Sequence, residues 1–522
     1  MKWNQILLFI VAGVVIWTSL LSGNARATTD TIEEDYTTHC AECHGAGRLG
    51  GMGPALLPEN LKRVSKDEAV EVILNGRTAT QMPAFGNILD NEKARALVEM
   101  IYTPLAHIPV WDIEAIRASH KILAPTPALD GPIFDADPTN LFIVVELGDH
   151  HATVLDGDLM EPIHRFKTHF ALHGGPKYSS DGRFVYFASR DGWISKYDLW
   201  NLTTVSEVRA GINTRNLAVS ADDRFVMVAN YLPHTLVILD AEDLSPIRVI
   251  DIRDAEGNSS RASAVYVAPP RESFVVALKD IAEVWEIQYR DNPLPVYNGL
   301  MHDYRLAEGL AEQGMFPVRR IQLDDYLDDF FFSQDYRRLF GTARNSKKGQ
   351  VVQMDIGRKI AELDIDGMPH LGSGITFDYQ GRTVLATPNL RKGEVTVIDL
   401  ETYKTIRRIE TLGPGFFMRS HENSRYAFVD VFFGKDSDAI HVIDKATLEI
   451  VETLRPEPGK TAAHVEFDRD GRHALVSIWD MDGAVVVYDT ASLKEIKRLP
   501  MVKPSGKYNV HNKITRSSGT SH

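Results

Sequence analysis

The chain has 522 residues, of which 44% are hydrophobic and 9% aromatic, as in folded proteins rather than disordered ones. It carries 57 Lys and Arg against 71 Asp and Glu, which gives a net charge of −14. This acidic balance argues against a duplex nucleic-acid binder, because phosphate binding usually requires a basic face. The length allows two or three domains, or one small domain followed by a large all-β domain.

Residues 1–27 have the pattern of a secretory signal peptide. Lys2 supplies the positive charge, residues 6–21 form the apolar run, and Ala25, Arg26 and Ala27 form a typical cleavage site. An uncleaved membrane anchor is the alternative, since the apolar run approaches the length that spans a bilayer. Both interpretations predict an exported protein, and cleavage leaves a mature chain without a membrane span.

The motif Cys-Ala-Glu-Cys-His at residues 40–44 is the strongest local signal. Cys40 and Cys43 are suitably spaced to form thioether bonds with one haem, and His44 then becomes the proximal iron ligand. They are the only two cysteines, which excludes a disulfide scaffold. A thioredoxin-like pair would need a βαβ context, and a zinc site would need two further ligands at similar spacing. Neither context is present, and we predict one covalent haem c.

The residues around this motif predict a small all-α class I cytochrome c domain over residues 28–108. A glycine-rich loop over 45–53 follows the motif, and helical periodicity is present over 61–74 and 91–101. Met82, which precedes a proline on the loop between these two segments, has the pattern of a sixth haem ligand. The other candidates for that position are His107, Met52 and His39.

An internal repeat occupies the remainder of the chain. Each copy joins a polar turn, Asp-Gly-Arg in its clearest form, to two apolar strands, and most copies start 41 to 48 residues apart. The eight copies begin near Asp135, Ser179, Ser220, Ala268, Ser333, Asp378, Glu422 and Asp468. A period in the forties with four strands per unit is typical of a β-propeller, because one unit cannot bury its faces alone.

We therefore predict an eight-bladed all-β propeller over residues 129–522, closed by pairing of strands from its two ends. Residues 109–128 are predicted to be a linker between the domains. The longer gap before Ser333 predicts an insertion around 289–320. A propeller says little about function by itself, so the side chains that point into its central channel are the informative ones.

A cytochrome c domain followed by an eight-bladed propeller resembles the cytochrome cd1 nitrite reductase family over essentially the whole mature chain. The matching segments are Met368–Gly374, 413–426, 342–345 and 503–510. The resemblance implies a non-covalent haem d1 in the propeller, with a histidine of the first blade as proximal ligand. His173 is the best match, although one more residue separates it from the turn than in the family pattern, and His169 and His164 are competitors.

Haem d1 carries several carboxylates, so its pocket requires cations. Arginine is suited to this because its planar fork binds two carboxylate oxygens. Most of the arginines that follow first strands or begin repeats match basic positions of the family, and Tyr231 also matches a pocket position. These arginines are Arg190, Arg215, Arg261, Arg344 and Arg419.

One position departs from the nitrite reductases, which place two histidines above the d1 iron as proton donors to nitrite. His370 matches the first, but Asn389 stands at the second, and an amide cannot protonate a leaving oxygen near neutral pH. The chain instead has His464 where the reductase pattern has no histidine. This arrangement is similar to the dihydro-haem d1 dehydrogenases, periplasmic c-type cytochromes that convert a propionate of dihydro-haem d1 to an acrylate in the last step of haem d1 biosynthesis.

By this resemblance, His370 and His464 are the candidates for the general base, since a neutral imidazole suits that role. Tyr508 is expected to hydrogen-bond the substrate or relay a proton. Electrons are expected to pass to the haem c and then to an electron-accepting redox protein, and the product to reach cytochrome cd1 nitrite reductase through a transient contact. The alternatives are a nitrite reductase with a remodelled distal side and a non-catalytic haem d1 carrier.

Overall fold

The computed structural model describes residues 31–77, 81–126, 130–297, 314–344 and 346–515. The predicted signal peptide lies outside the described residues. The chain divides into two compact units, residues 1–108 and 109–522. Within the described residues, no helix is both long and apolar enough to cross a membrane.

The first unit is helical, as predicted for the cytochrome domain. Its helices are α1 (31–39), α2 (Ala41–His44), α3 (Lys66–Asn75) and α4 (Asn91–Ile101). Helix α4 has the predicted bounds, but α3 begins at Lys66 and not at residue 61. A 3₁₀ turn occupies Pro58–Asn60, and the hydroxyl of Ser65 then accepts the backbone N–H of Glu68 at 3.2 Å, which caps the start of α3.

The second unit contains eight antiparallel sheets, seven of four strands and one of five, which confirms the prediction of eight blades. Blade 1 consists of β2–β4 with β33, and blades 2 to 8 each take the next four strands from β5 to β32. The strands of the first half are β1 (Lys121–Ile122), β2 (Leu141–Glu146), β3 (His151–Asp156), β4 (Glu161–Lys167), β5 (Lys177–Tyr178), β6 (Phe184–Ala188), β7 (Trp193–Asp198), β8 (Thr203–Arg209), β9 (Asn213–Val219), β10 (Phe225–Leu232), β11 (Thr235–Asp240), β12 (Pro246–Asp251), β13 (Ala262–Ala268), β14 (Ser273–Leu278), β15 (Glu283–Gln288) and β16 (Val318–Gln322).

The second half repeats the pattern and ends in a short helix, α6 (Val510–Thr515). Its strands are β17 (Asp329–Phe332), β18 (Arg338–Thr342), β19 (Gly349–Gln353), β20 (Arg358–Leu363), β21 (Ile375–Tyr379), β22 (Arg382–Pro388), β23 (Glu394–Asp399), β24 (Thr405–Glu410), β25 (Met418–Ser420), β26 (Tyr426–Asp430), β27 (Ile440–Asp444), β28 (Glu449–Leu454), β29 (Ala462–Phe467), β30 (His473–Ile478), β31 (Gly483–Asp489), β32 (Glu495–Met501) and β33 (Pro504–Asn509).

The two ends of the propeller close the ring together, as predicted. Strand β33 pairs antiparallel with β2, which places Tyr508 opposite Ile143. Blade 1 therefore takes its innermost strand from the C-terminal end of the chain. This pairing completes the four strands of blade 1 and links the two ends of the propeller unit.

The segment predicted as a linker packs onto the propeller unit. Helix α5 (Ile113–Ser119) buries Ile116 completely, and β1 pairs with β8 as a fifth, outermost strand of blade 2. The indole N–H of Trp111 donates to the carbonyl of Arg209 at 2.9 Å. Residues 127–129 lie outside the described residues, as do 298–313 of the insertion, which falls between β15 and β16 of blade 4.

The blades place one set of loops around the central channel. The first strand of each blade lies at the inner edge of its sheet, and first strands of neighbouring blades contact one another. Because first and second strands run antiparallel, the start of one lies beside the end of the other. Residues that precede first strands and residues that follow second strands therefore converge at one end of the channel.

Candidate functional site

The attachment motif ends helix α2 with His44 facing inward. The ring Nδ1 of His44 lies 2.8 Å from the carbonyl oxygen of Pro54, and only 8% of the residue is exposed. The Nδ1–H donates in this pair, which leaves Nε2 free for a metal. A Cβ at Gly53 would come within 2.6 Å of the ring, so only glycine lets the loop approach it. This arrangement fits the proximal ligand of a haem c.

The rest of the first unit is also compatible with a haem. Cys40 and Cys43 are not joined by a disulfide, and both are partly exposed. No strand is present among the residues described in this unit, so the βαβ context of a thioredoxin-like pair is absent there. Met82 lies between α3 and α4 and packs, partly buried, against the helical core. Met52 and His39 are also partly buried, whereas His107 is exposed.

Every blade contributes a polar side chain at the predicted end of the propeller channel. In blade order these are Tyr508, His173, Arg215, Arg261, Asp329, His370, Arg419 and His464, each on or next to the first strand of its blade. Sequence-predicted residues that are far apart in the chain are thereby brought together. The side chain of His370 keeps 18% of its surface accessible in the middle of the molecule, as expected for a side chain that lines a channel.

His173 lies in the loop before β5, the first strand of blade 2 and not of blade 1 as the resemblance implied. Its Nδ1 is 2.8 Å from the carbonyl oxygen of Arg215, which accepts a proton, and 2.9 Å from the guanidinium Nη1 of Arg215, which donates one. Burial lowers the pKa of His173 well below its ordinary value, and Arg190 and Arg215 lower it further. Ligation of an iron by Nε2 requires Nη1 of Arg215, 3.3 Å away, to swing aside.

The two competing histidines have other partners. His169 pairs with Glu207 at 2.8 Å and stacks on Trp193 with 4.8 Å between the ring centroids. His164 stacks on Phe166 from β4, the outermost strand of blade 1. Of the three, His173 has the geometry that suits the proximal position.

Cations surround Tyr231 on the side of blades 2 to 4. The guanidinium groups of Arg190 and Arg261 lie 5.7 and 5.8 Å from the centre of its ring. Burial raises the pKa of Tyr231, but Lys279, Arg215, Arg190 and Arg261 together bring it down to about 8. A group of this positive charge is suited to the carboxylates of a macrocycle.

The predicted arginines differ in how many of their guanidinium nitrogen atoms bind other protein groups. Arg261 is bound through two nitrogen atoms to Asp280, at 2.8 and 2.6 Å. The buried Nη1 of Arg190 has no hydrogen-bond partner among the described residues. Arg344 follows β18, and its backbone N–H donates to Asp328. Arg419 is 4% exposed and lies 3.9 Å from Glu466, outside hydrogen-bond range.

His370 is neutral and presents a lone pair. Its Nδ1 lies 2.6 Å from the carbonyl oxygen of Phe416, so this nitrogen carries the proton. Its Nε2 is 3.8 Å from a carboxylate oxygen of Asp329. Burial lowers the pKa of His370, while Asp329 and the bond to Phe416 oppose that shift.

His464 has the opposite arrangement. Its Nδ1 accepts the backbone N–H of Lys507 at 3.3 Å, which leaves the proton of a neutral ring on Nε2. That Nε2 is buried and has no hydrogen-bond partner among the described residues. Burial lowers the pKa of His464 well below its ordinary value, as do Lys507 and Arg419. The residue lies at a bulge of β29 with φ +50°, in the left-handed region.

Tyr508 lies at one end of a row of rings that runs through His464, Phe417 and Phe416 to His370. Ring centroids are 5.1 Å apart for Tyr508 and His464, 4.7 Å for His464 and Phe417, 4.3 Å for Phe417 and Phe416, and 4.4 Å for Phe416 and His370. A Cβ at Gly175 would lie 2.9 Å from the Tyr508 ring, so glycine is required there. Burial raises the pKa of Tyr508 to about 12, which keeps the hydroxyl protonated.

The side-chain amide of Asn389 is hydrogen-bonded to backbone groups. Its side-chain amide donates to the carbonyl of Asp366 at 2.8 Å, and its oxygen accepts the N–H of Arg391 at 2.9 Å. The residue is 1% exposed. It therefore closes a turn instead of supplying a donor to a ligand.

Sequence reasoning missed several polar residues of this site. Lys279 donates to Asp328 at 2.6 Å and belongs to the cations around Tyr231. Its signal is positional, because it follows the second strand of its blade as Arg190 and Arg344 follow theirs. The others are Asp329, Asp430, Lys507 and Lys513. Of these, Asp430 is the charged residue at a repeat position that is otherwise Ala, Thr or Ser in the clear copies.

Two family matches cover the two units. Residues 136–302 and 306–513 match the family described as "Cytochrome D1 heme domain". Residues 27–101 match the family described as "Cytochrome C oxidase, cbb3-type, subunit III".

Individual relatives match nearly the full chain. "Dihydro-heme d1 dehydrogenase" of Pseudomonas aeruginosa is 56% identical over 96% of this chain and 98% of its own length. "Nitrite reductase" of Stutzerimonas stutzeri is 24% identical over the same shares of the two chains. The solved structure of "Dihydro-heme d1 dehydrogenase NirN in complex with DHE" has a TM-score of 0.75 and 56% identity, and the match covers 92% of this chain and 99% of that one.

Proposed function

The chain belongs to the cytochrome D1 heme domain family, and we propose that it oxidises one propionate side chain of dihydro-haem d1 to an acrylate, the last step of haem d1 biosynthesis. Near-full-length similarity to a dihydro-haem d1 dehydrogenase carries this conclusion. The protein is an oxidoreductase that holds a covalent haem c and takes dihydro-haem d1 as its substrate. The resemblance inferred from the sequence is thereby confirmed.

The reaction sets three requirements for the site. A saturated –CH₂–CH₂– segment becomes –CH=CH– and loses two protons and two electrons. The site must hold the carboxylates of the macrocycle, accept a proton from a carbon atom, and stabilise the charge that develops. A base that is neutral at working pH and lies next to a fixed donor meets the last two requirements.

His370 is the base in this proposal. Its proton is held on Nδ1 by the carbonyl of Phe416, so the lone pair of Nε2 is available to the substrate. When Nε2 takes up a proton, the carboxylate of Asp329 at 3.8 Å stabilises the imidazolium that forms. The lowered pKa of His370 keeps its ring neutral at neutral pH, so that Nε2 is able to accept a proton.

His464 and Tyr508 are hydrogen-bond donors in this proposal. The proton of His464 is on Nε2, and a buried donor that has no partner in the described part of the chain is suited to a substrate carboxylate. The hydroxyl of Tyr508 stays protonated at neutral pH because its pKa is about 12. Both groups stabilise the negative charge that develops on the reacting propionate, and neither of them removes a proton from it.

Binding comes from the opposite side of the channel. Arg190 and Arg215 supply positive charge for the remaining carboxylates, whereas Lys279 is already paired with Asp328. Nε2 of His173 ligates the substrate iron. Arg261 contributes less, because Asp280 already neutralises its guanidinium. The reacting propionate then lies on the side of blades 6 to 8, next to His370 and His464.

The haem c that Cys40, Cys43 and His44 hold supplies a one-electron acceptor when bound, with Met82 as the proposed sixth ligand. Each macrocycle releases two electrons and one haem c accepts one, so two one-electron transfers are required. A redox protein must therefore remove electrons from the enzyme. We place the mature protein in the periplasm on the pattern of residues 1–27. Cytochrome cd1 nitrite reductase is the proposed recipient of the product through a transient contact.

Two alternatives have less support. A nitrite reductase requires a proton donor at the position of Asn389, whose amide is occupied by the backbone. A carrier without chemistry requires neither a haem c site nor two neutral histidines. Mass analysis of the macrocycle after incubation with the purified holoprotein tests the proposal, and a loss of two hydrogens is expected.

A further inference from the structure

Asp430 is a buried carboxylate between the two catalytic histidines. It is the last residue of β26 in blade 7, whereas His370 belongs to blade 6 and His464 to blade 8. None of its surface is exposed. Burial raises its pKa to about 6, and three backbone N–H groups and Lys507 oppose this shift, so the group is ionised at neutral pH.

One oxygen of Asp430 holds the segment that orients His370. Its Oδ1 accepts the N–H groups of Phe416 and Phe417 at 2.7 and 3.0 Å. The carbonyl of Phe416 in turn accepts the Nδ1–H of His370. The carboxylate is thus one peptide unit away from the bond that sets the tautomer of the base.

The other oxygen of Asp430 holds His464. Its Oδ2 accepts the backbone N–H of His464 at 3.2 Å. His464 has the left-handed conformation that a residue with a side chain adopts at an energetic cost, so it requires such partners. Lys507 supplies a second support, since its ammonium donates to the carbonyl of His464 and to Ser477.

The propeller does not require a carboxylate at this position. In the clear repeats, the residue five positions after the turn arginine is small and uncharged, as in Ala188, Ala229, Thr342, Thr387 and Ser477. Asp430 is the exception. Burial of a charge costs free energy. The side-chain hydrogen bonds of Asp430 are made to His464 and to the segment that holds His370.

We propose that Asp430 is the positioning residue that holds the imidazoles of His370 and His464 in mutual register for the oxidation of the substrate side chain. The proposal rests on the proposed function. It predicts that a substitution of Asp430 slows the chemical step. Substrate binding should be little affected, because it depends on the cations on the side of blades 2 to 4.

The test uses holoprotein with Asp430→Asn and dihydro-haem d1. Asn lacks the second acceptor oxygen and turns an N–H₂ group towards one of its present donors. We expect kcat to fall by about 10- to 100-fold, because misplacement of catalytic groups by ~1 Å costs this much. The Kd of dihydro-haem d1, from an absorbance titration, should change by less than about threefold, the opposite of what general disruption of the pocket would give.

A double-mutant cycle separates positioning from general damage. In a His370→Ala background, Asp430→Asn should add little further loss of kcat if it acts through His370. Asp444→Asn is the matched control, since Asp444 is a buried carboxylate of the same blade that caps the N–H of Ala446 away from the channel. It should leave kcat within about twofold of the wild type while lowering the melting temperature.

Three results would overturn the proposal: an unchanged kcat, an equal loss of kcat and affinity, or independent losses in the cycle. If Asp430→Asn does not fold, the same measurements with Asp430→Ser decide, because blade 8 accommodates a serine at this position. Failure of the proposed function itself is distinguishable, since the wild-type protein would then leave the mass of the macrocycle unchanged.

Discussion

The Nδ1 atom of His370 lies 2.6 Å from the carbonyl oxygen of Phe416, whereas the Nδ1 atom of His464 faces the backbone N–H of Lys507 at 3.3 Å. The first contact requires a donor and the second an acceptor. The two neutral imidazoles therefore present opposite functions to the channel, a lone pair from His370 and an N–H group from His464.

This difference predicts unequal effects of two substitutions. His370→Ala removes the base, and we expect kcat to fall by about 10²- to 10⁴-fold. His464→Gln keeps an N–H donor and should lose less than His370→Gln, which supplies no base of suitable pKa. Steady-state kinetics of all three variants check this, and a larger loss for His464→Gln than for His370→Gln would reverse the assignment.

Arg190 and Arg261 predict a separation of binding from stability. Among the described residues, the buried Nη1 of Arg190 has no hydrogen-bond partner. Arg190→Gln should therefore weaken substrate binding by about tenfold or more without destabilising the fold, since a hydrogen bond to a charged group contributes ~1.5–3 kcal/mol. Arg261→Gln leaves the buried carboxylate of Asp280 without its guanidinium counter-ion, and should cost about 3–5 kcal/mol of stability. Absorbance titrations and thermal unfolding measure the two effects, and the account fails if the two variants behave alike.

Tyr231 predicts a pH dependence of binding. Its pKa of about 8 means that the hydroxyl is neutral below pH 8 and ionised above it. The tyrosinate then competes with substrate carboxylates for the same cations, so the Kd should rise by about tenfold between pH 7 and pH 9. Tyr231→Phe should remove this rise. Other groups that titrate in the range, such as Lys513 with a pKa of about 7, are present in both proteins, and equal slopes would contradict the prediction.

Met82 predicts a change in the reduction potential of the haem c. Replacement of a thioether ligand lowers the potential, because axial ligands tune haem potentials over a range of ~0.8 V. Met82→Ala should therefore lower it on the order of 0.1 V in a spectroscopic redox titration. Met100→Ala is the control, since Met100 packs against the same helical core. Similar small shifts in both variants would assign the sixth ligand to another residue.

The repeat pattern predicted the architecture because each copy is one blade. Eight turns with apolar strands became eight sheets. Lys279 follows the second strand of its blade, as Arg190 and Arg344 follow theirs, but it was not named from the sequence. The start of α3 was predicted too early, because periodicity over 61–74 does not show that Ser65 caps the helix. The two-residue strand β1 has no sequence signal of its own, since only its pairing with β8 defines it.

The site was only partly predictable from the sequence, because the roles of its residues depend on contacts that form only in the fold. His370, His464 and Tyr508 were named from the sequence, but their tautomers depend on backbone groups of Phe416 and Lys507. In the sequence, Asp430 is the end of an apolar strand. Its three hydrogen bonds arise only when the loop before β25 and blade 8 lie beside β26. Lys507 is fully buried, which is an unusual place for a lysine and cannot be read from one sequence.

The central claim is a dehydrogenation, and the mass of the macrocycle measures it most directly. Purified holoprotein with oxidised haem c is mixed with dihydro-haem d1 in the absence of nitrite, and the extracted macrocycle is analysed by mass spectrometry alongside the haem c spectrum. The account predicts a loss of two hydrogens and reduction of haem c, with both changes slowed by about 10²- to 10⁴-fold in His370→Ala. Tight binding with an unchanged mass would contradict the account and leave a carrier.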